Sequence, residues 1–81
     1  MFASAQISLY PLRQQHLSPT IDNAVKILTR YGLEVLPGSM STLVSGDDKT
    51  IFSAIQELFQ NSSEEGDVVM AVTLSNTCPV N

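Results

Sequence analysis

The chain has 81 residues, of which 43% are hydrophobic and 15% charged, a length that fits one small globular domain. Eight acidic residues against four basic ones give a net charge of -4, which disfavours binding to nucleic acid or to an anionic membrane surface. The only cysteine, Cys78, excludes an internal disulfide framework and any site that needs paired cysteines.

The first part of the chain resembles neither a targeting signal nor a membrane anchor. Arg13 is the first cation, and no apolar run approaches the roughly 18 residues that a membrane span requires. We therefore expect a cytoplasmic protein that does not insert into membranes, and nothing in the composition calls for a cofactor.

The first half of the chain predicts a strand, a helix and a second strand. Residues 5–12 alternate apolar and polar side chains up to Pro11, as a strand with two different faces does. Ser18 and Pro19 are typical of a helix start, and Gly32 of a helix end, so we predict a helix over residues 19–31. Its apolar side consists of Ile21, Ala24, Val25 and Leu28. A short strand over residues 33–36 leads into a turn at Pro37-Gly38.

The second half predicts a strand, a helix and a last strand. A strand over residues 39–45 is expected to break at Gly46, after which Asp47 or Asp48 caps a helix. The apolar stripe of this helix is formed by Ile51, Ile55, Leu58 and Phe59. Residues 61–66 read as an exit loop, alternation from Asp67 predicts a strand to residue 75, and the tail 76–81 is expected to fray.

This order of elements predicts an α+β fold of the ferredoxin-like type, a four-stranded antiparallel sheet with both helices on one face. The opposite side, which we name the uncovered face, then has no helical cover. Its expected members are Gln6, Ser8, Tyr10, Ser39, Ser41, Leu43, Val69, Ala71 and Thr73. Such a semi-polar face suits a subunit interface, a ligand platform or both.

The sequence does not contain a complete set of the residues that catalysis requires. His16 stands in a polar loop, Cys78 lies in the tail, and no second histidine completes a metal site or a nucleophile and base pair. Pairs of acidic residues at 47–48 and 64–65 are explained by helix capping and solubility. We therefore predict no catalytic residue, no metal ligand and no enzymatic activity.

Short hydroxyl side chains concentrate in residues 38–47, where a core strand ordinarily carries Val or Ile. Thr42 lies between Met40 and Val44 on the side expected to face the helices. A buried hydroxyl costs free energy unless it is hydrogen-bonded. Thr42 therefore either bonds to the backbone or lines a small polar cavity.

Five segments resemble one family along nearly the whole chain. They are ISLYPL at 7–12, LSPTID at 17–22, YGLEV at 31–35, GSMSTLVSGDD at 38–48 and EEGDVVMAVTLSN at 64–76. Together they are similar to the YkoF-like branch of the thiamine-binding proteins. The resemblance implies a ferredoxin-like fold, binding of thiamine or its hydroxymethylpyrimidine precursor, and assembly through the sheets as dimers or dimers of dimers. A homodimer would present the pair of units that some members carry in tandem.

The candidate ligand-binding residues are Ser8, Tyr10, Ser41 and Thr42, which supply an aromatic ring and hydroxyls on the two inner strands. Alternation places Thr42 on the helix side and the other three on the uncovered face, so the choice of face stays open. Ser45 stands where many relatives have Glu, which puts any role of that carboxylate in doubt. The alternative function is a structural or regulatory oligomerisation module without a small-molecule ligand.

Overall fold

A computed structural model of the chain describes residues 1–12 and 18–77. Its strands are β1 (Phe2–Pro11), β2 (Glu34–Pro37), β3 (Thr42–Asp47) and β4 (Val68–Ser75), and its helices are α1 (Ser18–Arg30) and α2 (Asp48–Ser63). The predicted α+β class and the order of the elements are confirmed. The expectations for His16, Cys78 and residues 78–81 lie outside the described residues. In the described part of the chain, neither helix is long and apolar enough to cross a membrane.

The four strands form one sheet in the order β2-β3-β1-β4, and every neighbouring pair is antiparallel. Ile7 lies opposite Thr42 on one side and opposite Val72 on the other, so these three side chains share a face. Gln6 lies opposite Leu43 and Thr73, which share the other face. The register therefore confirms the predicted separation into a helix side and an uncovered face.

The core lies between the helices and one side of the sheet. Ten buried apolar residues form it: Ala3, Ala5, Ile7, Ile27, Leu28, Leu33, Val44, Ile51, Ala54 and Leu58. The predicted apolar stripe of α1 omitted Ile27, which is buried. Gly32 ends the turn after α1 with a φ of 77°, a conformation in which an L side chain would be strained. Burial of the side chains from both layers holds the helices on the sheet.

The edge strand β4 is only partly covered by the helices. Val72 and Leu74 point to the helix side as predicted, yet they keep 39% and 43% of their surface exposed. The reason is their place in the sheet, since α2 packs against the inner strands β1 and β3 more closely than against β4. Alternation therefore gives the correct face for these two residues, but not the extent of their burial.

The boundary between β3 and α2 differs from the prediction. Gly46 does not break the strand, because β3 continues through Asp47 and α2 begins at the next residue. A Cβ at position 46 would lie 2.6 Å from Cδ2 of Leu33, so the glycine makes room for a buried leucine. Asp47 has extended backbone angles and accepts a hydrogen bond from the Lys49 amide at 3.2 Å, which makes it the N-cap. The strand also begins at Thr42 rather than at residue 39.

The course of α2 corrects two further predictions. The helix continues to Ser63, so residues 61–63 are helical and not part of an exit loop. Its buried stripe consists of Ile51, Ala54, Leu58 and Ser62, whereas Phe59 is 47% exposed. Phe59 follows Leu58 by one residue and is therefore turned about 100° around the helix axis, away from the core.

Candidate functional site

The turn between β2 and β3 is held tightly at its base. The Gly38 amide donates a hydrogen bond to the Ser41 carbonyl at 2.8 Å, which leaves Ser39 and Met40 at the tip. A Cβ on Gly38 would lie only 2.8 Å from the same carbonyl oxygen, so no other residue fits without a shift of the backbone. Met40 projects from the tip with 78% of its surface exposed.

A cavity of about 210 Å³ lies beside this turn, between the end of the sheet and the two helices. Apolar side chains of β1, α1 and α2 form most of its wall, and the turn with the start of β3 supplies the polar part. The lining residues are Ile7, Leu9, Tyr10, Ala24, Leu28, Gly38, Ser39, Met40, Ser41, Thr42 and Leu58. An apolar pocket with a few convergent polar groups is the usual form of a small-molecule site.

Three of the four predicted site residues meet at this cavity. Tyr10, Ser41 and Thr42 line it, whereas Ser8 does not and lies opposite Ala71 on the uncovered face. In a strand, neighbouring residues such as Ser41 and Thr42 would point to opposite faces of the sheet. Ser41 precedes β3 and belongs to the turn, so this alternation does not apply to it. Ser39 likewise lies in the turn and not on a strand face.

The polar groups of the cavity differ in their partners. Gln6 Nε2 donates a hydrogen bond to Ser41 Oγ at 3.0 Å, and the Ser41 hydroxyl keeps its own proton for a second partner. Within residues 1–12 and 18–77, no protein group is hydrogen-bonded to the side-chain oxygen of Thr42 or Tyr10. Because a half-buried hydroxyl gains free energy from a partner, the Thr42 oxygen is positioned to bind a ligand or water.

The described lining of the cavity suits a ligand without charge. None of the described residues that line it is an acid, a lysine, an arginine or a histidine. The described residues also contain no cluster of three His, Cys, Asp or Glu side chains that could hold a metal ion. The described site therefore offers hydroxyls, backbone groups and apolar surface to a small uncharged ring.

Sequence reasoning missed the helical wall of the cavity, which is formed by Ala24, Leu28 and Leu58. These residues lie on the same apolar stripes as the core, and periodicity does not distinguish a side chain that borders a cavity from one that packs fully. The polar turn could be predicted from the sequence, because hydroxyl side chains directly follow Pro37-Gly38.

The fold and the cavity together define a small α+β sandwich of the ferredoxin-like type with a ligand-sized cavity between its layers. The chain belongs to the YKOF-related family, whose family model matches residues 2–81. No curated protein matches the chain.

Solved structures with the same fold span nearly the whole chain. A hypothetical protein of Methanocaldococcus jannascii matches with a TM-score of 0.86 at 23% identity, over 99% of this chain and 84% of the other. A protein of Streptococcus pneumoniae matches with a TM-score of 0.83 at 19% identity, over 93% and 86%. A candidate thiamine biosynthesis or salvage protein of Thermotoga maritima matches with a TM-score of 0.84 at 19% identity, over 95% and 85%. At these identities the likeness establishes the fold.

Proposed function

We propose that the protein binds thiamine or its hydroxymethylpyrimidine precursor without transforming it, in uptake or salvage. The cavity beside the β2–β3 turn supports this proposal, because its apolar walls meet the hydroxyl of Thr42, which has no hydrogen-bond partner among the described residues. An aminopyrimidine has flat apolar faces and an edge with one amino donor and two ring-nitrogen acceptors. Such a ring is matched by Thr42, Ser41 and backbone groups at its edge and by Tyr10 as an aromatic wall.

The volume of the cavity favours a single ring. Pockets for drug-sized ligands have volumes of about 300–1,000 Å³, and this cavity has about 210 Å³. We therefore infer that the pyrimidine occupies the cavity and that the thiazolium half of thiamine lies at the mouth, near Tyr10 and Met40. A cation there is tolerated because the chain as a whole carries a net charge of -4.

The comparisons support a thiamine-related role. The chain belongs to the YKOF-related family, and one structural neighbour is a candidate thiamine biosynthesis or salvage protein. Non-catalytic binding is consistent with a described cavity that holds no acid, base or metal cluster. A cytoplasmic location and assembly as a homodimer or dimer of dimers remain part of the proposal.

A second candidate function is that of an oligomerisation module without a ligand. The uncovered face favours it, because Leu36 and Val69 are half exposed there beside small hydroxyl side chains. Ser4 Oγ and Ser45 Oγ lie 3.3 Å apart, so Ser45 pairs with a serine of β1 and presents no carboxylate. Under this alternative the same face would contact other subunits and the cavity would stay without a ligand.

Calorimetric titration with thiamine, hydroxymethylpyrimidine and thiamine phosphate tests the proposal directly. We expect the unmodified protein to bind hydroxymethylpyrimidine and thiamine. Ala24→Leu adds three carbon atoms at a half-buried position in the cavity wall and is expected to weaken binding at least about tenfold.

Ala71→Leu is the matched control, since Ala71 is exposed on the uncovered face and does not line the cavity. It should bind as the unmodified protein does. If the unmodified protein binds none of the three compounds, the oligomerisation module becomes the better hypothesis. If Ala24→Leu binds with unchanged affinity, the ligand occupies another site.

A further inference from the structure

Met40 is the most exposed large apolar side chain in the described part of the chain. It keeps 78% of its surface exposed, whereas Met70 of β4 is partly buried against the core. Single apolar side chains on a surface are common and need no special explanation. Met40, however, lies at the rim of an apolar cavity and forms part of its lining. An apolar side chain in that place is available to cover what the cavity holds.

The backbone that carries Met40 is held close to the sheet. The Gly38 amide donates a hydrogen bond to the Ser41 carbonyl at 2.8 Å, and Pro37 pairs with Thr42 directly below the turn. The turn is therefore short, and its tip is fixed relative to the sheet. Closure over the cavity then needs rotation of the Met40 side chain only. Such rotations take picoseconds to nanoseconds for an exposed residue.

The cavity has a buried side and an exposed side. Leu28 and Leu58 of the two helices line it and are almost completely buried, whereas Tyr10 and Met40 line it and remain 46% and 78% exposed. A flat ring that packs one face against the helical wall directs its other face towards the exposed side. That outward face stays in contact with water unless a side chain from the rim covers it.

We propose that the Met40 side chain closes over the outward face of the bound pyrimidine and thereby determines the affinity of the site. This inference rests on the proposed function and adds a contact to the hydroxyls and the aromatic wall. The unbranched thioether of methionine adapts to irregular surfaces, and its sulfur makes favourable contacts with aromatic rings. The contact removes apolar surface of both the ring and Met40 from water. Binding therefore buries a side chain that the free protein leaves exposed.

Calorimetric titration of the full chain tests the proposal with two substitutions at one position. We expect Met40→Ala to bind hydroxymethylpyrimidine at least about tenfold more weakly than the unmodified protein. Met40→Leu keeps an apolar side chain of similar volume and should bind within about threefold of it. The loss in Met40→Ala should be of similar size with thiamine, because the two compounds share the pyrimidine. Urea unfolding should give the same stability for both variants and the unmodified protein, since residue 40 is exposed.

Leu36→Ala is the matched control for the loss of an exposed apolar side chain. Leu36 is 51% exposed on β2, near the same turn, and does not line the cavity. The control should bind hydroxymethylpyrimidine as the unmodified protein does.

The outcomes separate this contact from the proposed function. Unchanged affinity of Met40→Ala overturns the contact and leaves the proposed function intact. A loss confined to thiamine also overturns it, because Met40 would then lie against the thiazolium and not the pyrimidine. If the unmodified protein binds neither compound, the proposed function fails and the contact fails with it.

Methyl NMR tests the contact in the unmodified protein. The chain has three methionines, Met1, Met40 and Met70, and the spectrum of Met40→Leu identifies the Met40 signal by its loss. Saturation with hydroxymethylpyrimidine should shift this signal upfield, because a methyl group over the face of an aromatic ring is shielded. The signal of Met1, which does not line the cavity, should stay in place. A Met40 signal that does not move at saturation overturns the proposal.

Discussion

Thr42 is the residue at which the sheet and the candidate site meet most directly. Its place opposite Ile7 in β1 directs the side chain to the helix side. Its neighbours in the cavity include Leu28 and Leu58, which offer no hydrogen bond. The free hydroxyl is therefore better explained by a ligand or water than by the packing of the strand.

Thr42→Val tests this role, because it keeps the shape of the side chain and removes one hydroxyl. We expect hydroxymethylpyrimidine to bind more weakly by about 0.5–1.5 kcal/mol, the usual contribution of a neutral hydrogen bond. Stability should change little or rise, since no group among the described residues loses a hydrogen-bond partner. Thr73→Val makes the same change of residue on the uncovered face and is the control. Calorimetric titration measures the affinity for hydroxymethylpyrimidine, and urea unfolding measures the stability.

Ser41→Ala is the companion variant and tests the polar rim of the cavity. It removes the acceptor of Gln6 Nε2 as well as a donor to the ligand, so a loss of affinity similar to that of Thr42→Val is expected. If Thr42→Val and Ser41→Ala both bind as the unmodified protein does, the pyrimidine does not bind beside this turn.

At the scale of single elements, α2 depends on a cap supplied by the preceding strand. Asp47 ends β3 and accepts a hydrogen bond from the Lys49 amide at the start of the helix. We predict that Asp47→Ala lowers the free energy of unfolding by about 0.5–2 kcal/mol, and that Asp47→Asn, which keeps a capping oxygen, restores most of it. Urea unfolding of the unmodified protein and the two variants measures these free energies. Equal destabilisation of Asp47→Ala and Asp47→Asn would contradict the prediction.

The two helices are joined by a small cluster centred on Glu57. Arg30 Nη2 donates to Glu57 Oε2 at 2.5 Å, and the Tyr31 hydroxyl donates to Glu57 Oε1 at 2.8 Å. The hydrogen bond to Glu57, followed by partial desolvation and the negative charge of that carboxylate, raises the pKa of Tyr31 above its usual value of 10.0. Tyr31 therefore links the end of α1 to α2 only while it is protonated.

This pKa shift predicts how stability depends on pH. Because the pKa of Tyr31 is higher in the folded state, its stabilising contribution is present below pH 10 and is lost as the pH rises through the raised value. Tyr31→Phe lacks this contribution, so its stability should fall less steeply as the pH rises above 10. Parallel curves of the free energy of unfolding against pH for the two proteins would refute the assignment.

At the scale of the whole molecule, the distribution of charge limits the partners. The basic side chains among the described residues are those of Lys26, Arg30 and Lys49, and Arg30 is already paired with Glu57. With a net charge of -4, no basic stripe is available among the described residues to attract a polyanion. We predict no retention on heparin and no detectable binding of DNA, RNA or anionic vesicles at physiological salt. Retention on a heparin column under those conditions would contradict the prediction.

Much of the architecture could be predicted because it depends on local patterns. Alternation along β1 and β4 gave the correct faces, and the α1 stripe with Gly32 at its end gave a helix within one or two residues of the observed one. The element order then left the ferredoxin-like sandwich as the natural topology. The resemblance to the YkoF-like branch agrees with the family that the whole chain matches.

The sequence by itself determined the order of the elements and the two faces of the sheet, and it predicted Ser8, Tyr10, Ser41 and Thr42 as ligand-binding residues. Only the tertiary structure decided that Tyr10, Ser41 and Thr42 line one cavity and Ser8 does not, that Gly46 accommodates Leu33, and that Phe59 and Val72 are exposed. The physical reason is that periodicity gives the direction of a side chain relative to its own element. Whether another element fills the space in that direction depends on contacts between residues far apart in the chain.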